Sequence, residues 1–201
     1  MIGLSTSYYA MKGLSIYESV LKTVDLGFEL IELGAAHEYE DNTFDTMREI
    51  KRDFPSVSFT VHTLFPPLQK RVWFNPADGL NEINKKIVDG LFETASIVDA
   101  SLISIHPPVF NDIKLGGTNL AKFHRPVPGK AKDKNTGKER FFQLLEYISR
   151  QSGDCGIKII IENISFSSSC SINSYPYTRE DFVELFEKFP GVGFLLDVGH
   201  A

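Results

Sequence analysis

The chain has 201 residues, 42% of them hydrophobic and 23% charged, and a net charge of -5. This composition predicts one globular domain over residues 1–201 and excludes a largely disordered chain. No apolar run approaches the ~18 residues of a membrane span, and the N-terminus lacks the basic and apolar regions of a signal peptide. We therefore expect a cytoplasmic protein with no membrane partner.

Taken in chain order, short apolar runs alternate with helical patterns. Strands are predicted at 2–6, 28–33, 57–62, 102–106, 157–162 and 193–197, and helices at 15–27, 43–54, 78–98, 139–151 and from Thr178 to just before Pro190. Ser15 and Glu18 have the spacing of a capping box. Parallel neighbours need crossover connections, which are normally helices, so the alternation predicts a parallel α/β sheet.

One connection departs from this regular alternation. Roughly thirty residues follow His106 before the next helical pattern, far more than the 2–6 typical of such loops. The segment is basic, with Lys114, Lys122, Arg125, Lys130, Lys132, Lys134, Lys138 and Arg140. It is either a mobile solvated loop or a lid that meets phosphate.

Four of the apolar runs end in a side chain that can bind a metal, namely His62, His106, Glu162 and Asp197. Burying a lone carboxylate is costly, so a metal, a partner group or solvent must meet it. In a (β/α) barrel, catalytic groups come from the C-terminal ends of several strands, whereas an open sheet concentrates them at one switch point. No G-x-G-x-x-G follows the first strand, so the barrel is favoured over the open sheet.

These strand ends resemble the motifs of the xylose isomerase-like TIM barrels, which include sugar isomerases and epimerases and the endonuclease IV type apurinic-site endonucleases. The motifs are Val61-His62, Ile105-His106-Pro107, Ile161-Glu162-Asn163 and Leu196-Asp197-Val198-Gly199-His200-Ala201. The resemblance covers essentially the whole chain and implies a TIM barrel.

The resemblance also implies roles for single residues. Glu162 and Asp197 match metal ligands. His200 matches a residue that contacts substrate in the isomerase branch and binds a further zinc in the endonuclease branch. His62 and His106 match zinc ligands of the endonucleases and pocket residues of the isomerases.

Three further residues complete the set of expectations. Asn163, in the Glu-Asn motif, is expected to bind substrate together with the histidines. His37 and His124 do not fall at predicted strand ends, so we interpret both as ordinary loop residues.

Carboxylate and imidazole together suit zinc, manganese or cobalt, which can polarise a carbonyl or phosphoryl oxygen or activate water. The leading hypothesis is a metal-dependent isomerase or epimerase of a sugar or sugar phosphate, with Glu162, His200 and His106 as catalytic residues. A zinc-dependent endonuclease acting on abasic DNA is the alternative, although the acidic charge disfavours it. A non-catalytic sugar-binding barrel is the third option, and a homo-oligomer is compatible with each.

A complete barrel has eight units and ~250 residues, whereas the sixth predicted strand here is followed by Ala201. The ligands that the resemblance implies on strands seven and eight, a His and a Glu, have no counterpart. We therefore expect a barrel truncated after strand six, either a fragment of a longer protein, which we favour, or a half-shell completed by a partner.

Overall fold

The computed structural model describes residues 2–118, 124–163 and 173–198, with 116–118 and 124–126 described by their backbone alone. The described strands are β1 (Gly3–Ser5), β2 (Leu30–Leu33), β3 (Ser58–His62), β4 (Leu102–Ile105), β5 (Asn111–Thr118), β6 (His124–Ala131), β7 (Lys158–Glu162) and β8 (Val192–Leu195). The helices are α1 (Ser7–Ala10), α2 (Ile16–Asp25), α3 (Thr43–Asp53), α4 (Glu82–Ile97), α5 (Lys134–Cys155) and α6 (Arg179–Lys188), with a short 3-10 helix at Pro76–Asp78.

Six strands form one sheet in the order β1-β2-β3-β4-β7-β8, which is also their order along the chain. The pairs β1 with β2, β2 with β3 and β7 with β8 are parallel. Helices lie between successive strands in sequence, as crossover connections require. The predicted β/α architecture is therefore confirmed, and the sheet is consistent with a TIM barrel of which six strands are present.

The described residues fall into two compact units. The first contains 2–72, 87–103 and the described part of 117–125, and the second contains 73–86, 104–116 and the described part of 126–201. The prediction of one domain over residues 1–201 stays a prediction.

In the first unit, β2 and β3 separate an apolar face from a polar one. Ile31 pairs in register with Phe59, and both side chains are buried. Glu32 pairs in register with Thr60, and both residues are half-exposed. Because residues two apart on a strand point to the same face, His62 lies on the polar face with Thr60.

Helix α2 begins as the sequence predicts. The Oγ of Ser15 accepts a hydrogen bond from the backbone N–H of Glu18, and the Glu18 carboxylate accepts one from the backbone N–H of Ser15. This reciprocal cap lowers the pKa of Glu18 below its usual value. Gly27 then adopts a φ of +85°, which lets the chain turn toward β2.

In the second unit, α5 covers β7. The helix buries Phe141, Leu144, Leu145 and Ile148, while Ile159–Ile161 of β7 are also buried. The side chain of Asp133 accepts a hydrogen bond from the backbone N–H of Thr136, so α5 begins at Lys134, five residues before its predicted start. Gly156, in the left-handed region, ends it.

The long connection after β4 is partly regular, because β5 and β6 form a two-stranded sheet. Lys132 makes an ion pair with Asp78 and lies 3.6 Å from Asp112. Lys138 makes an ion pair with Glu184. These two lysines neutralise carboxylates of the second unit and are not available for phosphate in this arrangement. Lys122 lies outside the described residues.

Candidate metal centre

Glu162 is the most deeply buried carboxylate at a described strand end. It closes β7 directly after three buried isoleucines, and its side chain is only 3% exposed. An apolar strand that ends in a buried carboxylate is unfavourable unless a partner compensates the charge.

His106 and Ser104 supply partners for the two carboxylate oxygens of Glu162. The Nε2 of His106, directly after β4, lies 2.8 Å from Glu162 Oε1. The Oγ of buried Ser104 donates to Glu162 Oε2 over 3.5 Å. Ser104 and His106 are two residues apart on extended chain, so they present their side chains to the same side.

His62, at the end of β3, is oriented by its neighbour. Its Nδ1 lies 2.9 Å from the carbonyl oxygen of Thr63. A carbonyl can only accept, so Nδ1 carries the hydrogen, and a neutral ring then has its lone pair on Nε2. This tautomer is the one that a metal bound through Nε2 requires.

Two predicted site residues meet in the second unit, since the Nε2 of His106 lies 2.8 Å from Oε1 of Glu162. His62, at the end of β3, belongs to the first unit. An imidazole and a carboxylate suit zinc, manganese or cobalt. The donor set therefore fits a divalent transition-metal ion.

Asp197, shortly after β8, also belongs to the second unit. Its backbone is held by Asn163, whose Nδ2 donates to the Asp197 carbonyl over 2.9 Å and whose Oδ1 accepts from the Asp197 N–H over 2.6 Å. The described role of the Asn163 amide is thus to position Asp197. Its predicted role in substrate binding stays a prediction.

The remaining predicted histidines differ in outcome. His200 lies outside the described residues. His124 begins β6 and its side chain also lies outside them. His37 is not the ordinary loop residue that the sequence predicts, because it is 6% exposed and its Nε2 lies 2.9 Å from Thr6 Oγ1.

The environment of His37 changes its titration. Burial lowers the pKa of His37 to about 4. The edge of its ring contacts Phe65, and Nδ1 has no hydrogen-bond partner among the described residues. The imidazole of His37 is therefore neutral at neutral pH, and it belongs to the first unit.

Two residues beside the candidate site, Ser104 and Trp73, were not predicted from the sequence. Ser104 could have been found, because it precedes His106 by two residues on a predicted strand. Trp73 stacks on the His106 ring, with centroids 6.2 Å apart and planes inclined by 23°. It lies in an irregular connection, where no periodic pattern indicates the direction of a side chain.

Comparison with known proteins agrees with this geometry. Residues 20–201 match a family model described as xylose isomerase-like TIM barrel. No curated protein matches the chain significantly.

Several solved structures share the fold. A D-tagatose 3-epimerase-like protein is 21% identical with a TM-score of 0.64, over 98% of this chain and 65% of its own. A D-psicose 3-epimerase from Clostridium cellulolyticum, solved with D-tagatose, is 16% identical with a TM-score of 0.65, over 98% of this chain and 63% of its own. An AP endonuclease of family 2 from Brucella melitensis is 14% identical with a TM-score of 0.66, over 99% of this chain and 69% of its own.

The chain therefore spans about two thirds of the length of these structures. At such low identity the likeness establishes the fold alone. Among the helices that the structure describes, none is long and apolar enough to cross a membrane.

Proposed function

Because the chain belongs to the xylose isomerase-like TIM barrel family, we propose that it belongs to a divalent-metal-dependent isomerase or epimerase of a sugar or sugar phosphate. The observation that carries the proposal is the buried Glu162 carboxylate at a strand end, 2.8 Å from the His106 imidazole. Burying a carboxylate costs free energy that a bound cation or a hydrogen-bond partner offsets.

The residues fit that chemistry in distinct roles. Glu162 and Asp197 are proposed as ligands of zinc, manganese or cobalt, and such an ion polarises a bound carbonyl when present. Glu162 is also the proposed proton shuttle, since proton transfer next to a carbonyl is work that a buried carboxylate can do. His106 and His62 orient substrate hydroxyls, and His200 is assigned the same role from its motif.

Burial supports the use of Glu162 as a base. Its two oxygens contact His106 and Ser104 in the apolar surroundings of β7, where electrostatic interactions are strong. These two partners hold Oε1 and Oε2 in fixed directions, and a general base must be positioned within reach of the proton that it removes.

A second candidate function is a zinc-dependent phosphodiesterase acting on abasic DNA. The strand-end residues His62 and His106 match zinc ligands of the endonuclease branch, and imidazole is a common zinc ligand. Neighbours of similar fold include both a sugar epimerase and an AP endonuclease of family 2. A cytoplasmic location is proposed for either activity.

Two assays on the full-length, metal-loaded protein separate the classes. An isomerase or epimerase exchanges the proton next to the carbonyl of a ketose or aldose with deuterated solvent. An endonuclease nicks an abasic duplex and loses affinity steeply with rising salt, because phosphate contacts release counterions.

Glu162→Gln is the matched variant for both assays, and Glu146→Gln, at an exposed position of α5, is the control. We expect exchange on at least one sugar, lost in Glu162→Gln and kept in Glu146→Gln. Nicking at enzyme-like rates without exchange on any sugar reverses the ranking of the two functions.

A further inference from the structure

Trp73 is the only tryptophan in the 201 residues, and it lies against the candidate metal centre. Its ring stacks on His106 with a centroid distance of 6.2 Å and an angle of 23° between planes. It is half-buried, whereas the next two residues, Phe74 and Asn75, are only 2% exposed. Phe74 and Asn75, which we call the buried anchor, therefore hold the indole of Trp73 beside the site.

That anchor also holds the chain that carries His106. The Nδ2 of Asn75 donates to the carbonyl of Val109 over 2.8 Å, and the Val109 N–H donates to Asn75 Oδ1 over 3.0 Å. Asn84 donates to the Asn75 carbonyl over 2.9 Å. Trp73 precedes the anchor by two residues and His106 precedes Val109 by three, so a short, hydrogen-bonded scaffold fixes both rings.

The two contacts of His106 restrict different motions of the imidazole. The hydrogen bond to Glu162 acts in the plane of the ring and fixes the direction of Nε2. Stacking on Trp73 acts perpendicular to the ring and opposes rotation of that plane. Together they leave the imidazole one orientation, and metal and substrate sites require ligands held to within about 0.5 Å.

We propose that Trp73 is a positioning residue for His106, and that it tightens binding of the divalent cation at Glu162 by fixing the imidazole plane. The inference rests on the proposed function, since it assigns Trp73 to that same site. Trp73 contacts neither the cation nor the reacting atoms in this assignment.

Substitution of Trp73 in the full-length protein tests the proposal with zinc as the probe. Trp73→Phe keeps an aromatic face, and Trp73→Leu keeps apolar bulk without one. We expect calorimetric zinc affinity to fall about 3- to 10-fold in Trp73→Leu and to stay within about 2-fold in Trp73→Phe, as the usual strength of an aromatic pair implies. Leu80→Ala, at an exposed position of the same connection, should leave affinity unchanged.

A spectroscopic readout needs only the wild type and Trp73→Phe. Their difference in emission isolates the fluorescence of Trp73, and it should change during zinc titration with the same midpoint as calorimetry. Equal zinc affinity in all variants, together with a difference emission that zinc does not alter, overturns the positioning role and leaves the proposed function standing. Failure of the wild-type protein to bind zinc, manganese or cobalt overturns the proposed function, and this inference with it.

Discussion

The side chain of Asn163 pairs with the backbone of Asp197 as another strand would. Glu162 is in register with Leu195, the last paired residue of β8, and the Asn163 N–H reaches the Leu195 carbonyl over 3.3 Å. Beyond that point the amide of Asn163 donates to the carbonyl and accepts from the N–H of Asp197. One asparagine therefore couples the strand end that carries Glu162 to the strand end that carries Asp197.

We predict that Asn163→Ala weakens both stability and metal binding. The substitution removes two part-buried hydrogen bonds, which should cost about 1–2 kcal/mol in the free energy of unfolding. Because Asp197 loses its fixed backbone, divalent-metal affinity should also fall. Urea titration and calorimetry of the full-length protein measure the two effects.

Asn42→Ala is the control for that experiment, since Asn42 is exposed and its side chain makes no capping hydrogen bond. Asn163→Asp keeps the acceptor at Oδ1 but replaces the donor by an oxygen facing the Asp197 carbonyl. It should therefore be at least as destabilising as Asn163→Ala. Metal affinity equal to wild type in Asn163→Ala would show that Asp197 needs no support from β7.

Metal content of the full-length protein tests the two proposed carboxylate ligands. Glu162→Gln and Asp197→Asn each replace an oxygen of a charged ligand by a neutral amide at constant volume. We expect a chelator-washed and reloaded sample of either variant to retain less zinc, manganese or cobalt than wild type, as measured by elemental analysis. An unchanged ion content in both variants contradicts the assignment of these ligands.

Bound metal should also stabilise the wild-type fold, because an ion that binds only the native state adds about 2.7 kcal/mol at a concentration of 100 Kd. For a domain of this size that corresponds to a rise of roughly 5–10 °C in Tm. Glu162→Gln should show a smaller rise with the same ion, and Glu146→Gln the full one. Differential scanning calorimetry with and without zinc measures both.

The strand ends could be predicted because each is a local pattern, an apolar run closed by a polar residue. His106 and Glu162 meet for that reason, because parallel strands of one sheet bring their C-terminal ends to one edge. The role of Asn163 could not be predicted, because its hydrogen bonds with the Asp197 backbone depend on the register of β7 with β8. The position of Trp73 could not be predicted either, because it depends on the hydrogen bonds of Asn75 with Val109, which is 34 residues away.

The errors have similar physical causes. The segment 111–131 alternates polar and apolar residues only over 112–115 and contains glycines and prolines, so the pairing of β5 with β6 left too short a periodic signal. His37 follows β2 in an irregular segment, and its partner Thr6 is 31 residues away. Burial of a loop residue by another loop is a tertiary effect that a short window of sequence does not contain.

The buried His37 predicts a loss of stability in acid. Its folded pKa is about 4, below the unfolded value of about 6.5. Between these values the unfolded chain binds a proton that the folded chain rejects, so the free energy of unfolding falls as pH drops from about 6.5 to about 4. The total loss from this group is about 3 kcal/mol, from 1.36 kcal/mol per pKa unit.

Urea titrations between pH 4 and pH 7 measure that slope in wild type and in His37→Gln, which cannot titrate. We expect a smaller pH dependence in the variant. Phe65→Leu, which perturbs the ring contact of His37 but keeps the imidazole, controls for general destabilisation and should retain the slope. Parallel curves for wild type and His37→Gln would assign the acid sensitivity to other groups.

Exposed apolar side chains near β8 predict association of the 201-residue chain. β8 is at one end of the described sheet, and Phe194, Leu196 and Val198 are 45%, 61% and 76% exposed. An unpaired strand edge beside apolar side chains is a template for pairing with another chain.

We expect the apparent mass from light scattering to rise with concentration. Leu196→Glu should reduce the rise, because it places charge on that surface. Val127→Glu, at an exposed site on β6, should not reduce it. An apparent mass that stays that of a monomer at every concentration would show that these exposed side chains do not drive association.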